Sequence, residues 1–158
     1  MLAGFIISSC LSVLMIAATS LLTYEILGAV WNLLPRLSIS RRLRVLLVIM
    51  PIFIIHIANI WFYASVCFLI ENFSNFGALT GNIGKATLTY ESFIERLYYS
   101  ASTYASLGLG DIVPTGHLRM LASAEVLNGL VLLGWTISFT YLTMEEFWSL
   151  PYTKKGRS

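Results

Sequence analysis

The sequence predicts an all-α membrane protein with three transmembrane helices and one short re-entrant helix. Apolar residues make up 57% and charged residues only 11% of the 158 residues, whereas about a quarter of an average soluble domain is charged. The apolar residues form three runs, each long enough to cross about 30 Å of hydrocarbon. A fourth helical segment is amphipathic and too short to cross, and a glycine-containing turn follows it.

The overall charge and the cysteines argue against several classes of function. A net charge of +2 is too small to indicate a nucleic-acid partner, and the sequence has no basic arm with interleaved aromatic residues. Cys10 and Cys67 lie in apolar runs without a histidine or a second cysteine at metal-ligand spacing, so zinc chemistry is not indicated. We expect both thiols to be buried small side chains, and whether they contact each other is left open.

The first transmembrane helix is predicted over residues 1–34, as an addition to the rest of the fold. The run from Leu2 to Leu34 contains one charged residue, Glu25, and is roughly 50 Å long as a helix. A cleavable signal peptide is not indicated, because no basic residue precedes the run and the run is far longer than a signal core.

The second transmembrane helix is predicted over residues 45–70, after a basic link over residues 35–44. Pro51 removes one backbone hydrogen bond and should kink this helix near its start. His56 and Asn59 are three residues apart, on one face of the helix. We expect them to make polar contacts with the first or the third transmembrane helix, and a gate that titrates at His56 stays open as the alternative.

The re-entrant helix is predicted over residues 92–105, and the third transmembrane helix over residues 117–148. Ser92 and Glu95 have the spacing of a capping box, which predicts the start of the re-entrant helix. A turn over residues 106–111 connects this helix to the segment that leads into the third transmembrane helix.

The basic residues predict how the helices are oriented in a cell membrane. Four arginines lie in the 35–44 link, and two lysines and an arginine lie in the tail over residues 151–158. The positive-inside rule places both segments in the cytoplasm, and three membrane crossings require the link and the tail to share a side. The amino terminus and the polar loop over residues 71–91 are then external, the carboxyl terminus is cytoplasmic, and the re-entrant helix enters from outside.

The turn from Ser106 to Asp111, Ser-Leu-Gly-Leu-Gly-Asp, carries the chemistry. Two glycines flanking one residue allow consecutive carbonyls to point the same way, because glycine adopts positive φ without steric cost. Aligned carbonyls can replace the water shell of a cation. The carboxyl end of the preceding helix adds partial negative charge near the membrane centre, and Asp111 at the external mouth would concentrate cations.

The segment from Thr103 to Asp111, followed by Pro114, resembles the pore-helix and selectivity-filter signature of tetrameric potassium channels. The resemblance extends over residues 45–150 as a pore domain with an outer helix, a pore helix, a selectivity-filter loop and an inner helix. It implies a homotetramer in the lipid bilayer, with K⁺ as the permeant ion and no cofactor. The implied filter residues are Ser106, Leu107, Gly108, Leu109 and Gly110, with K⁺ bound at the first four.

The turn departs at three positions from the commonest filter of that family, Thr-Val-Gly-Tyr-Gly-Asp. Ser106 keeps the hydroxyl of threonine, and Leu107 changes only bulk, since its carbonyl would bind the ion. Leu109 replaces the tyrosine that braces the family's filter against the pore helix, and leucine cannot form that hydrogen bond. Gly-Leu-Gly does occur in potassium-channel filters, so Leu109 bears on selectivity over Na⁺ rather than on the assignment.

Five residues around the filter are further candidates. Thr103 and Glu125 are candidates for filter support, Glu125 by pairing with the pore helix from behind the filter. Asn128 is the candidate for lining the cavity, because polar side chains in a span usually face protein or water. Gly129 and Gly134 lie where the family's inner helix often bends, and a hinge and close helix packing are both left open.

The sequence therefore predicts passive conduction of a cation, with K⁺ as the leading candidate. No nucleophile–base pair or carboxylate pair is placed for catalysis, so we expect no enzymatic activity. Two alternatives stay open: a weakly selective or sodium-passing channel, and a non-conducting membrane subunit of a larger complex. The gating stimulus is not indicated. The first two helices lack the arginine repeat of a voltage sensor, and a separate regulatory subunit is one route of control.

Overall fold

The computed structural model describes residues 2–37, 40–73 and 76–148. The predicted basic tail over residues 151–158 lies outside the described residues. Within these described ranges, four α-helices and two short strands follow one another, with a 3₁₀ turn at Leu34–Arg36. Their bounds are α1, Leu2–Leu33; α2, Arg41–Phe73; β1, Leu79–Gly81; α3, Tyr90–Tyr104; β2, Ile112–Pro114; and α4, Leu118–Trp148.

Three of the helices, α1, α2 and α4, are long and apolar enough to cross a membrane. This confirms the predicted fold class, with the shorter α3 between the second and third of them. α2 is longer than predicted at both ends and continues through Pro51. The loop that follows it is therefore shorter than the predicted 71–91 segment, because α2 extends to Phe73 and α3 begins at Tyr90.

The first helix packs along the rest of the bundle rather than standing apart from it. Near its start, the Ser8 hydroxyl donates to the carbonyl of His117, next to the first residue of α4, and near its end Trp31 lies against Phe139. α1 and α4 therefore run in the same direction. The α1 face that makes these contacts carries mostly small or hydroxyl side chains, which allow helices to approach closely. Its buried residues are Ser8, Ser12, Met15, Thr19, Thr23, Leu27 and Val30.

Two short strands join the loop after α2 to the segment after the predicted filter turn. β1 and β2 are antiparallel, with Leu79 opposite Pro114 and Gly81 opposite Ile112. They lie where α2 ends and α4 begins, which we call the strand side of the bundle. The sequence analysis did not predict these strands, and they fix the residues that directly follow the 106–111 turn.

The largest hydrophobic core surrounds α3 on the strand side. Tyr99 and Tyr104 of α3 pack there with Tyr63 and Cys67 of α2 and with the start of α4. The prediction for the cysteines is therefore half right, because Cys67 is buried but Cys10 is exposed, and both are free thiols. The core supports α3 from behind and leaves the turn that follows it on an open face.

Candidate functional site

The start of α3 is capped by Thr89 rather than by Ser92. Thr89 has an extended backbone, and its side chain accepts a hydrogen bond from the backbone N–H of Ser92, as an N-cap does. The predicted capping box is therefore wrong. Ser92 lies inside the first turn, where its hydroxyl accepts from Arg96, and the Glu95 carboxylate also binds Arg96.

A buried ion pair fixes the first half of α3, and the sequence analysis missed it. The Arg96 guanidinium is fully buried, with its Nε 2.9 Å from Oε2 of Glu71 at the end of α2. The other oxygen of Glu71 accepts from the backbone N–H of Leu79 in β1, at 2.6 Å. Arg96 also donates to the carbonyl of Gly84 in the loop. These contacts join α2, the strand pair, the loop and α3.

The end of α3 is closed by a Schellman motif that contains Ser106, the first residue of the 106–111 turn, which we call the filter turn after its predicted role. The N–H of Leu107 donates to the carbonyl of Ser102 at 2.8 Å, and the N–H of Ser106 donates to that of Thr103 at 2.9 Å. This six-to-one and five-to-two pattern places Ser106 at the position where glycine is usual. Ser106 has φ of 58°, in the left-handed region. The filter turn therefore begins at a fixed angle to α3.

The filter turn has an alternating backbone. Ser106, Gly108 and Gly110 have φ of 58°, 56° and 78°, whereas the two leucines between them are not in the positive-φ region. Glycine tolerates this conformation at every second position. The Leu107 and Leu109 side chains are 63% and 57% exposed on the protomer, so the turn is an open strip that packs on little of its own chain.

An open groove of about 590 Å³ lies beside this strip. Thr103, Gly108 and Gly110 line one part of it, and residues of β2 and the first half of α4 line the rest. Thr103 thus lies close to the two filter glycines and also contributes the carbonyl that accepts from Ser106.

Asp111 ends the turn and is held from two directions. The Tyr98 hydroxyl of α3 donates to its carboxylate at 3.0 Å, and its backbone carbonyl accepts from the N–H of Asn82 at 2.8 Å. The hydrogen bond with Asp111 raises the pKa of Tyr98. Gly81 lies so close to the Asp111 carbonyl that a Cβ would overlap it. The strand pair therefore positions the residue at the mouth of the turn.

Glu125 of α4 lies against α3. Its side chain is buried, and the Ser100 hydroxyl of α3 donates to its carboxylate at 2.5 Å. The predicted pairing of Glu125 with the short helix is present in the structure.

The three α4 candidates differ in their surroundings. The Asn128 amide is buried and donates to the hydroxyls of Thr19 and Tyr63, at 2.7 and 3.1 Å. It is a contact between helices rather than an exposed cavity lining, because its hydrogen bonds are directed toward α1 and α2. At Gly129 a Cβ would overlap the carbonyl of Tyr104, so this glycine allows close packing. At Gly134 a Cβ would meet no atom within 4 Å.

His56 of α2 makes hydrogen bonds with both α3 and α4. Its Nδ1 lies 2.9 Å from the hydroxyl of Tyr104, and its Nε2 lies 3.0 Å from the hydroxyl of Thr136. The contact with α4 was predicted, whereas the contact with the last residue of α3 was not. Asn59 donates to Tyr104 and to Thr23 of α1.

Comparison with known proteins assigns the family. A family model described as an ion channel matches residues 49–146, which is more than half of the chain. The match includes most of α2, the strand pair, α3, the filter turn and nearly all of α4. No curated protein and no solved structure matches the chain. Together with the three membrane-spanning helices, the match shows that this chain belongs to the ion channel family.

Proposed function

We propose that the protein is a potassium-selective channel whose filter is the segment from Ser106 to Gly110. The observation that carries this proposal is the alternating backbone of the turn, fixed by the Schellman motif to the end of a short helix. Such a backbone supports a row of carbonyls on one side, which is how a pore replaces the hydration shell of K⁺.

The direction of α3 favours a cation at the start of the turn. The carboxyl end of a helix carries about half a negative charge, and α3 ends at Tyr104, two residues before Ser106. K⁺ is proposed to bind at Ser106, Leu107, Gly108 and Leu109, through backbone carbonyls and the Ser106 hydroxyl. Asp111 would concentrate cations at the mouth.

The geometry of one strip supports a homotetramer. A single strand cannot surround an ion, so four copies are needed to form a closed ring of carbonyls. The exposed Leu107 and Leu109 side chains and the groove beside them support this arrangement, because a neighbouring copy would cover both. The proposed orientation has the strand side external and the 35–44 link cytoplasmic, by the positive-inside rule.

A weakly selective or sodium-passing channel is the second candidate function. Leu109 has no hydroxyl with which to brace the filter, and its side chain is 57% exposed on the protomer. The bond from Tyr98 to Asp111 is the brace that the chain supplies instead, and it acts at the mouth rather than inside the filter.

Ion flux into liposomes that contain the purified full chain tests the proposal. Separate K⁺ and Na⁺ gradients would be imposed, with Ba²⁺ as a blocker. We expect K⁺ flux that exceeds Na⁺ flux and that Ba²⁺ inhibits. Equal fluxes would favour the weakly selective channel. No flux of either ion from a verified tetramer would contradict conduction and favour a non-conducting subunit.

Gly108→Ala is the variant that tests the assignment of the filter in the same flux measurement. At φ of 56° an alanine is strained by about 1–2 kcal/mol, so we expect K⁺ flux to fall sharply. Gly28→Ala is the control, because Gly28 lies within α1 and a Cβ there would meet no atom within 4 Å. Equal flux in the two variants would contradict the assignment of the filter.

A further inference from the structure

A chain of polar side chains runs through the middle of the bundle, and the half-buried His56 is its junction. One ring nitrogen of His56 faces Tyr104, the last residue of α3, and the other faces Thr136 of α4. Tyr104 and Thr136 are each 2% exposed. His56 is therefore the link through which the end of α3 and the middle of α4 share hydrogen bonds.

The partners fix which nitrogen of His56 carries the proton. The Thr136 hydroxyl donates to the carbonyl of Leu133 at 3.0 Å, so toward His56 it can only accept. Nε2 therefore carries the hydrogen and Nδ1 is the acceptor, which receives the hydroxyl hydrogen of Tyr104. This assignment of a neutral imidazole follows from the hydrogen-bond network.

The chain continues in one direction to the first helix. The Asn59 amide N–H₂ lies 3.4 Å from the hydroxyl oxygens of Tyr104 and Thr23 and donates to both. Thr23 in turn donates to the carbonyl of Thr19. Every donor in this chain of hydrogen bonds therefore has an acceptor, and the chain connects α4, α2, α3 and α1. The side-chain oxygen of Asn59 is buried without a partner.

The two ends of the His56 bridge lie at positions that matter for conduction. Tyr104 lies two residues before Ser106, and its carbonyl also touches Gly129 of α4. Thr136 lies two residues after Gly134, where α4 is not crowded. A displacement of α4 near Thr136 would reach the start of the filter through the imidazole, because a bridging ring cannot shift without breaking one bond.

We propose that His56 is a positioning residue that couples the position of α4 to the filter end of α3. The inference rests on the proposed function, because it gives the pore a route by which movement of the inner helix changes the filter. The first helix takes part, since it supplies the hydroxyl that orients Asn59. Neutral His56 with its hydrogen on Nε2 is the coupling form.

Hydroxyl deletions at the two ends of the bridge test the coupling in K⁺-conducting liposomes of the full chain. Tyr104→Phe and Thr136→Val each remove one link with little change in volume. We expect each to lower the K⁺/Na⁺ permeability ratio by roughly fivefold, the effect of one hydrogen bond. The double variant should resemble either single variant, because one broken link already uncouples the helices. Effects that multiply in the double variant would overturn the proposal.

His56 variants and a matched control separate coupling from packing. We expect His56→Leu to resemble the double variant, and His56→Gln to recover most of the ratio, since its amide carries one acceptor and one donor. Thr143→Val is the control. Thr143 is buried in α4, as Thr136 is, but its hydroxyl donates to the carbonyl of Phe139 within α4 and not to another helix. Three outcomes would contradict the bridge. They are an unchanged permeability ratio in His56→Leu, no recovery of the ratio in His56→Gln, and equal losses of the ratio in Thr143→Val and Thr136→Val.

A second measurement does not depend on conduction. Hydrogen exchange of the peptide that covers residues 102–111 should accelerate in Thr136→Val by roughly fivefold and stay at the wild-type rate in Thr143→Val. Faster exchange in Thr136→Val, together with no ion flux through the wild type, would support the coupling and contradict the channel. K⁺ flux through the wild type, together with unchanged exchange in Thr136→Val and additive effects in the double variant, would contradict the coupling and support the channel.

Discussion

The two ends of α3 are held by different chemistry. Its first half is fixed by charges, with Arg96 between the carboxylates of Glu71 and Glu95. Its last residue, Tyr104, is fixed by neutral groups, the imidazole of His56 and the amide of Asn59. A charge deep in a membrane is costly, whereas the loop beside the first half of α3 is exposed. Strong ionic contacts therefore anchor the start of the helix, and weaker neutral contacts leave its carboxyl end adjustable.

The largest expected effect comes from breaking the buried ion pair between Glu71 and Arg96. Glu71→Gln removes the charge that compensates Arg96, and the two side chains are 1% and 0% exposed. Breaking a buried pair costs about 3–5 kcal/mol, and we expect that loss in the free energy of unfolding in detergent. Glu95→Gln is the control, because Glu95 is 41% exposed and an exposed pair contributes at most about 1 kcal/mol. Equal losses in the two variants would contradict the anchoring role of Glu71.

Close packing at the carboxyl end of α3 should give the next largest effect. Gly129→Ala places a methyl group against the Tyr104 carbonyl, and overpacking of this kind costs about 1–3 kcal/mol. Gly134→Ala has open space and should gain up to about 1 kcal/mol from helix propensity. Thermal unfolding of both variants checks the difference. A stabilised Gly129→Ala would show that α4 does not pack on α3 as described.

The cap at the start of α3 gives a smaller change. Thr89→Ala removes the side chain that accepts from Ser92, which costs about 1 kcal/mol. Thr89→Ser keeps a hydroxyl and should retain most of the stability. Denaturant unfolding of the two variants measures the cap. Equal stability of Thr89→Ala and the wild type would restore Ser92 as the cap.

The smallest effect concerns the exposed bond between Tyr98 and Asp111. The carboxylate raises the pKa of Tyr98, so the bond stabilises the fold below the usual tyrosine pKa of about 10. That stabilisation is lost as pH rises through the higher pKa of the folded protein. Absorbance titration should show that the wild type has one more tyrosine ionising above pH about 10 than Tyr98→Phe has. An unchanged titration would place Tyr98 away from Asp111.

Hydropathy and glycine spacing were sufficient to predict the three spanning helices, the short helix and the turn. These features depend on residues that are near one another in sequence. The strand pair and the Glu71–Arg96 ion pair depend on contacts between distant segments, which local patterns do not reveal. A lone arginine in the first half of the short helix was the only available signal. The cap was misplaced because Thr89 and Ser92 are both residues that commonly cap helices.

The face of α1 that carries Thr19 and Thr23 limits how the family-matched part of the chain, residues 49–146, can be isolated. Both hydroxyls accept from buried amides, those of Asn128 and Asn59. A truncated protein that lacks the first helix would turn two amides toward lipid tails, which offer no acceptor. Protein made for structural or functional work should therefore keep α1, and a detached α1 peptide added to the truncated protein should restore its yield.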